Sequence, residues 1–332
     1  MFDFIGVLSL VVLLLLFVWF MRRAWRSRRP LLKWPGVVLG GLLTLVSAAL
    51  IVLALLGFYK LNEPRSNPVA DIRVAGSPAQ AARGKQLAHI CQDCHASNGE
   101  LPLSGLNFIA KYGLPPVGTI YAPNLTPSGN IKDWTDGEVI RAMREGVHKN
   151  GRSLLFMPTA MFRNMSDEDA QAVVAFLRSQ PPTGTPTPEN QFNLLGALFM
   201  NVRDFRSSHS PAGHVSAPPA GTAEYGHYMV NIIGCQNCHG DDLAGRVYSG
   251  VGPPAGPNLT KLVPQWTEEQ FLHFFNTGII PGGGQVPLVT FADGSKLPAM
   301  PWPLVRASAT DDELKAMFSF LHSLQPIDGP TK

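Results

Sequence analysis

The sequence predicts an all-α protein in which two tandem helical domains follow an N-terminal hairpin of two transmembrane helices. Two long uncharged runs near the N-terminus predict the hairpin. A repeated series of motifs over the rest of the chain predicts the two domains, and helix-capping signals at matching places predict that both are helical. The length of 332 residues accommodates two domains of ordinary size in addition to the hairpin.

The apolar runs at residues 4–20 and 36–59 contain no charged side chain. At about 1.5 Å per residue, the second run crosses a hydrocarbon core of roughly 30 Å, and the first just reaches across. The basic residues that follow the first run are Arg22, Arg23, Arg26, Arg28, Arg29 and Lys33. A cleaved signal peptide carries its basic residues before the apolar run. We therefore expect residues 1–60 to be a retained hairpin with its loop at residues 21–35.

The distribution of charge predicts the orientation of the hairpin. Because basic loops stay in the cytoplasm, we expect both termini and the remainder of the chain on the periplasmic side of a bacterial inner membrane. The formal net charge is +3, but residues 1–60 hold 7 of the 27 basic residues and 1 of the 24 acidic ones. The exported part has 20 basic and 23 acidic residues. We therefore expect no nucleic-acid partner.

Residues 79–182 and 221–326 contain the same features in the same order, which predicts one domain in each range. Each repeat starts with a glycine-containing helix that leads into a Cys-x-x-Cys-His motif. We expect this glycine to let the first and last helices of the repeat cross closely, and capping signals open two later helices. The paired features are Gly84 and Gly226, Pro-Asn-Leu-Thr at 123–126 and 257–260, the caps Thr135 and Thr267, and the caps Ser166 and Thr310.

The segments outside the repeats are predicted to be connections. Residues 61–78 and 183–220 are linkers by this prediction, and residues 327–332 are a tail. Residues 192–205 are rich in apolar side chains and predict a short helix that packs against a domain or a partner. Contact of this helix with the membrane interface is the alternative.

All four cysteines lie in two Cys-x-x-Cys-His motifs. Two cysteines at this spacing can form thioethers to both vinyl groups of one haem, and the next residue brings an imidazole to the iron. A four-cysteine zinc site or a pair of disulfides would not explain a histidine at the fifth place twice. The motifs therefore predict two covalent haem c groups. The predicted thioether residues are Cys91, Cys94, Cys235 and Cys238, and the predicted proximal ligands are His95 and His239.

Each repeat also contains a Met-Pro pair about ten residues before its last helix. These pairs nominate Met157 and Met300 as the sixth ligands of the two irons. A thioether ligand raises the potential of the iron, which suits an electron carrier. Met161 is the reserve candidate in the first repeat.

With these motifs, both repeats resemble class I cytochrome c domains, and more narrowly the cytochrome c subunits of membrane-bound bacterial alcohol, gluconate and aldehyde dehydrogenases. The resemblance rests on the Cys-x-x-Cys-His motif, residues 124–127, residues 133–136, Met157-Pro158 and residues 165–169. It implies haem c with His/Met ligation in each domain and electron passage toward quinone or a terminal acceptor. Those subunits usually have three haem domains and a different anchor. An N-terminal anchor followed by two cytochrome c domains is similar instead to the dihaem subunit of cbb-type oxidases.

The function predicted from the sequence is electron transfer by a membrane-anchored dihaem cytochrome c that is not an enzyme on its own. The expected redox partner is a dehydrogenase, a quinol-oxidising complex, an oxidase or a photosynthetic reaction centre. A tethered shuttle between separate complexes is one alternative. A dihaem peroxidase is the other, and it would need an open or releasable sixth position on one iron.

Overall fold

The computed structural model describes residues 4–113, 116–247 and 255–329, which are mostly helical. The ends of the predicted hairpin and tail, residues 1–3 and 330–332, lie outside the described residues. The helices are α1 (Ile5–Trp25), α2 (Pro30–Asn62), α3 (Pro78–Ala88), α4 (Gln92–His95), α5 (Phe108–Tyr112), α6 (Asp136–Glu145), α7 (Thr159–Phe162), α8 (Asp167–Ser179), α9 (Leu194–Val202), α10 (Ala223–Ile233), α11 (Gln236–His239), α12 (Leu259–Leu262), α13 (Glu268–Thr277), α14 (Trp302–Ser308) and α15 (Asp311–His322). Short 3-10 turns at His89–Cys91 and Val263–Gln265 follow α3 and α12.

Helices α1 and α2 form an antiparallel hairpin, and both are long and apolar enough to cross a membrane. They continue beyond the uncharged runs, so that only residues 26–29 connect them. Small residues let the two helices approach closely: a Cβ at Gly36 would lie 2.7 Å from the Cβ of Ala24, and one at Gly40 would lie 3.0 Å from the Cβ of Met21. The glycines of this Gly-x-x-x-Gly pattern therefore lie at the helix contact.

The first and last helices of each repeat cross at a glycine, as predicted. A Cβ at Gly84 of α3 would fall on the carbonyl oxygen of Ala172 in α8. A Cβ at Gly226 of α10 would fall on the carbonyl oxygen of Ala316 in α15. The same backbone contact therefore occurs in both repeats, because only glycine leaves room for it.

The predicted caps open the expected helices. Thr135 and Glu138 form a complete capping box at the start of α6, and Thr267 and Gln270 form the matching one at α13. The side chains of Ser166 and Thr310 accept backbone hydrogen bonds at the starts of α8 and α15. Local side-chain chemistry thus sets the helix starts in both repeats.

Short strands, which the sequence did not predict, accompany the helices. The described residues contain three two-stranded antiparallel sheets. The pairs are β1 (Leu106–Asn107) with β3 (Tyr121–Ala122), β2 (Gly118–Thr119) with β4 (Gln191–Phe192), and β5 (Leu288–Thr290) with β6 (Lys296–Pro298). The tip of the β5–β6 hairpin reaches α5 of the first repeat, where the rings of Phe291 and Tyr112 meet edge to face at 5.5 Å.

The segments predicted as linkers lie along the first repeat. The backbone N–H of Arg65 donates to the carbonyl of Gly151 at 2.8 Å. In the second segment, the carbonyl of Thr183 accepts from the side-chain amide of Asn124 at 2.8 Å, and the N–H of His209 donates to the carbonyl of Glu145 at 2.8 Å. Helix α9, which this segment contains, packs on α2.

Two apolar cores organise the described residues. The larger core spans both repeats and includes the fully buried side chains of Val174, Met229 and Met317. The smaller core joins the hairpin and α9 to the first repeat. Its buried members are Leu61, Val117, Ile120, Phe192, Ala197 and Met200. The first repeat is therefore packed against both the hairpin and the second repeat.

Candidate functional site

The first Cys-x-x-Cys-His motif follows α3 directly, with Cys91 at the end of a 3-10 turn and Cys94 and His95 on α4. Nδ1 of His95 lies 2.9 Å from the carbonyl oxygen of Pro123. A carbonyl can only accept, so Nδ1 carries the proton and Nε2 carries the lone pair. This hydrogen bond therefore sets the tautomer and the ring orientation in which Nε2 can bind a metal.

The second motif has the same arrangement after α10. Cys235 precedes α11, and Cys238 and His239 lie on it. Nδ1 of His239 donates to the carbonyl oxygen of Pro257 at 2.8 Å. The two accepting prolines begin the repeated Pro-Asn-Leu-Thr segments, which the sequence marked as a repeat without revealing this role.

Burial keeps both imidazoles neutral. Desolvation lowers the pKa of His95 and of His239, and the hydrogen bonds to Pro123 and Pro257 oppose this only in part. Neutral imidazole is the form that binds a metal, because protonation would occupy the nitrogen lone pair. Both histidines therefore suit the role of iron ligand.

The four cysteines are not joined as disulfides. Burial raises the pKa of Cys91, Cys94 and Cys235 to about 12 and also raises the pKa of Cys238. Such thiols are protonated at neutral pH, which disfavours thiolate redox chemistry. No group of three or more His, Cys, Asp and Glu side chains that could hold a metal ion occurs in residues 4–113, 116–247 and 255–329.

The backbone turns that follow Met157 and Met300 have the same conformation. The N–H of Thr159 donates to the carbonyl of Met157 at 2.8 Å, and the N–H of Trp302 donates to the carbonyl of Met300 at 2.7 Å. The intervening prolines have φ −79° and ψ 59° in the first repeat, and φ −76° and ψ 54° in the second. These values define an inverse γ-turn. Each candidate sixth ligand therefore precedes a proline-centred turn that leads into a short helix.

Both methionines are part-buried and pack against the larger core, as do Cys91 and Cys235. The residue before Met157 is Phe156, whose φ of 63° is unusual for an aromatic residue. Its ring is held between Phe108 and Phe205, at centroid distances of 5.7 and 4.7 Å. The surrounding aromatic packing thus maintains an unfavourable backbone conformation beside the candidate ligand.

Met161 makes a different contact. Its Sδ atom lies 3.3 Å from the side-chain nitrogen of Asn237, which belongs to the second Cys-x-x-Cys-His motif. A Cβ at Gly234, just before that motif, would lie 2.6 Å from the same sulfur. Met161 therefore packs across the boundary between the repeats.

A basic side chain contacts the third residue of each Cys-x-x-Cys-His motif. The sequence did not predict these contacts. Nζ of Lys111 donates to the carbonyl of Asp93 at 2.5 Å and lies 3.3 Å from its carboxylate. Nη1 of Arg246 donates to the carbonyl of Asn237 at 2.6 Å. The two cations follow their motifs at different distances along the chain, so no repeat pattern reveals them. Positive charge at this position favours the more negatively charged, reduced state of a nearby redox centre.

The two repeats meet at a polar cluster, which was also missed. Arg83 of α3 contacts Asp169 of its own repeat at 2.8 Å and Glu313 of the other repeat at 2.5 Å. The hydroxyl of Tyr225 donates to Glu313 at 2.9 Å, and the hydroxyl of Tyr228 donates to Asp169 at 2.7 Å. Asp169 and Glu313 are equivalent residues, each the third of the last helix in its repeat.

Burial alone would lower the pKa of Arg83, but the hydrogen bond to Asp169 and the charges of both carboxylates raise it above its ordinary value. Burial raises the pKa of Tyr225 and Tyr228. Arg83 therefore stays charged, and both phenols stay protonated as donors.

The short helix that follows each candidate methionine packs on the other repeat. Helix α7, which follows Met157, packs on α10 of the second repeat. Helix α14, which follows Met300, packs on α3 and the turn at His89–Cys91 of the first repeat. The interface therefore has approximate two-fold symmetry and includes segments adjoining both motifs and both methionines.

Comparison with known proteins adds two findings. The chain is 30% identical over 286 residues to a nicotinate dehydrogenase subunit from Pseudomonas putida, a match that covers 77% of this chain and 23% of the relative. The chain thus spans about a quarter of the length of that relative. Residues 81–181 match the cytochrome c family. This part of the chain is a cytochrome c domain, and such a domain implies covalent haem c.

Proposed function

We propose that this protein is a membrane-anchored dihaem cytochrome c that carries electrons as a subunit of a dehydrogenase-type complex. The proposal rests on one observation: the histidine of each Cys-x-x-Cys-His motif and the turn after each Met-Pro pair have the same geometry in both repeats. The hydrogen bond from His239 to Pro257 repeats that from His95 to Pro123, with lengths of 2.8 and 2.9 Å. The turn after Met300 likewise repeats the turn after Met157. The cytochrome c match of residues 81–181 therefore supports a second haem domain at residues 221–326 as well.

The proposed residues divide into three roles. The cysteines at 91, 94, 235 and 238 attach two haem c groups by thioether bonds, and the groups supply one-electron chemistry when bound. His95 and His239 are the proximal ligands, held by the carbonyls of the two prolines. Met157 and Met300 are the sixth ligands. With both sixth positions filled by thioethers, the chain is an electron carrier and not a peroxidase.

The proposed location is the bacterial inner membrane. Helices α1 and α2 are long and apolar enough to span it, and the loop between them carries the basic residues that favour the cytoplasm. The helical repeats then lie in the periplasm, with their electron partners. Two spanning helices that pack closely on each other offer a surface to partner subunits, which favours a complex over a tethered shuttle.

The relative from Pseudomonas putida is named as a dehydrogenase subunit. We extend this to a partner class: a dehydrogenase subunit delivers electrons to the haems of this chain, which pass them to quinone or a terminal acceptor of the respiratory chain. This chain has no catalytic role of its own in the proposal. Substrate oxidation belongs to the partner.

The test is isolation of the protein from native membranes in a mild detergent. We expect a larger cofactor-bearing dehydrogenase subunit to accompany it, and the substrate of that subunit to reduce both haems. A double variant, Cys235→Ser with Cys238→Ser, provides the control because the partner should still bind while only the first haem is reduced. Recovery of the dihaem chain alone, with both haems intact, would contradict the complex and favour the shuttle.

A further inference from the structure

Helix α9 carries no charged residue, and Asn201 is its one polar side chain. Gly196, Ala197 and Met200 form a buried face. On the opposite side, Leu195 is 40% exposed and Val202 is 86% exposed. An exposed apolar helix face of this kind is typical of a contact surface.

The buried face of α9 packs on the hairpin. A Cβ at Gly57 of α2 would fall on the carbonyl oxygen of Ala197. The side-chain amide of Asn201 donates to the carbonyl of Leu53 at 2.8 Å. A Cβ at Gly6 of α1 would lie 2.6 Å from the Cβ of Leu194. The helix is therefore in close contact with both members of the hairpin.

The contacts on α2 fall inside the uncharged run at residues 36–59. Leu53 and Gly57 precede the end of this run by six and two residues, which places them about 9 and 3 Å inside it at ~1.5 Å per residue. Helices that lie in a membrane interface bury their apolar face about 5–10 Å deep. Lys60, one residue beyond the end of the run, reaches back toward α9: its Nζ donates to the carbonyl of Met200 at 3.3 Å.

We propose that α9 is a membrane-interface helix whose outer face, with Leu195 and Val202, lies among lipid acyl chains just below the headgroups. The inference rests on the proposed membrane anchor, because the depth of α9 is measured along α2. Lipid is favoured as the occupant over another protein because the stretch of α2 that α9 contacts also exposes Val52 by 54% and Leu56 by 48%, and these side chains face lipid in the proposed anchor.

This contact orients the first repeat on the membrane. Strand β4, just before α9, pairs with β2, and the smaller core links α9 to Phe108 and Phe156. Phe156 immediately precedes Met157. Helix α9 therefore turns one side of the first repeat, the side with the Met157 loop, toward the bilayer. The second repeat is held to the first through the polar cluster.

The test uses the full chain with p-benzoyl-phenylalanine in place of single residues, reconstituted into phospholipid vesicles and irradiated. The test positions are Leu195 and Val202. Val52, on the exposed side of α2, is the positive control, and Ile279, an exposed apolar residue of the second repeat, is the negative control. Haem absorption verifies that each variant is folded, and mass spectrometry measures covalent lipid adducts.

We expect adduct yields at positions 195 and 202 close to that at 52 and at least about tenfold above that at 279, since an interfacial helix buries its apolar face in lipid. Lipid adducts at position 52 with only background yields at positions 195 and 202 would overturn the proposal for α9, while the proposed membrane anchor would stand. Cross-links from 195 and 202 to protein instead of lipid would overturn it as well. Background yield at position 52 would overturn the anchor itself and this inference with it.

Discussion

Arg83 and Glu313 form an ion pair of 2.5 Å between the two repeats, although 230 residues separate them in the chain. The guanidinium also holds Asp169 of its own repeat at 2.8 Å, so that one cation joins the equivalent carboxylates of both last helices. Both carboxylate residues are buried. The loss of one partner from such a cluster leaves buried charge without compensation, which is strongly destabilising.

The first prediction therefore concerns Arg83→Ala. We expect a loss of about 3 kcal/mol in the free energy of unfolding, and slower electron transfer between the two haems because the repeats lose their fixed orientation. Urea unfolding and flash-induced electron transfer measure the two effects. The control is Lys261→Ala, which removes an exposed ion pair to Asp328 at 2.6 Å and should cost at most about 1 kcal/mol. Equal effects of the two variants would contradict a special role for Arg83.

The second prediction concerns the sixth ligands. Met157→Ala and Met300→Ala should each remove half of the sulfur-to-iron charge-transfer absorption at the red end of the visible spectrum. Each should also lower the potential of one haem by on the order of 100 mV, because a thioether stabilises ferrous iron. Met161→Ala is the matched control, since its sulfur contacts Asn237. Loss of the absorption in the Met161 variant, with retention in the Met157 variant, would reverse the assignment.

The third prediction concerns the cations beside the motifs. Lys111→Met should lower the potential of the first haem by roughly tens of millivolts, because a positive charge near the site stabilises the reduced state. Arg246→Met should do the same at the second haem. Lys315→Met removes an exposed lysine that pairs only weakly with Asp312 at 3.6 Å and should leave both potentials unchanged. A redox titration that finds no difference between Lys111→Met and Lys315→Met would refute this role of the cations.

The fourth prediction concerns pH and Asp167. Burial would raise the pKa of this carboxyl, but hydrogen bonds from His214 and Arg144 hold it below the ordinary value of 3.8. A carboxyl with a depressed pKa in the folded state stabilises the protein above its unfolded pKa, and this contribution disappears as the pH falls through the folded pKa. Asp167→Asn should therefore lower the free energy of unfolding by about 1 kcal/mol at pH 7.

The difference between Asp167→Asn and the parent protein should shrink as the pH falls below 3.8. Urea unfolding at a series of pH values measures it. Asp133→Asn, at a side chain that is 79% exposed, is the control for loss of a surface carboxylate. A difference for Asp167→Asn that stays constant down to low pH would show that its charge is not what stabilises the fold.

Features encoded locally could be predicted from the sequence. The Cys-x-x-Cys-His motifs, the caps at Thr135 and Thr267, and the glycine crossings at Gly84 and Gly226 depend on residues close together in the chain or on the intrinsic freedom of glycine. The repetition of these features then indicated which residues to compare. The mostly helical fold and the cytochrome c domain at residues 81–181 followed from them.

Features created by distant contacts could not be predicted. Arg83 resembles an ordinary surface residue of a helix until Glu313 is brought to it by packing of the second repeat. The strands β1 to β6 have only two or three residues each, too few for a periodic pattern. The position of α9 on α2 likewise depends on tertiary packing, so its apolar sequence indicated a contact without identifying the partner.

The most direct test of the dihaem assignment is the intact mass of the purified chain, measured with haem still attached. We expect a mass increase equal to two haems, which falls to one haem when Cys91 and Cys94 are replaced by serine and equally when Cys235 and Cys238 are replaced. An increase of a single haem in the parent protein, lost only with Cys91 and Cys94, would contradict the assignment and restrict electron transfer to the first repeat.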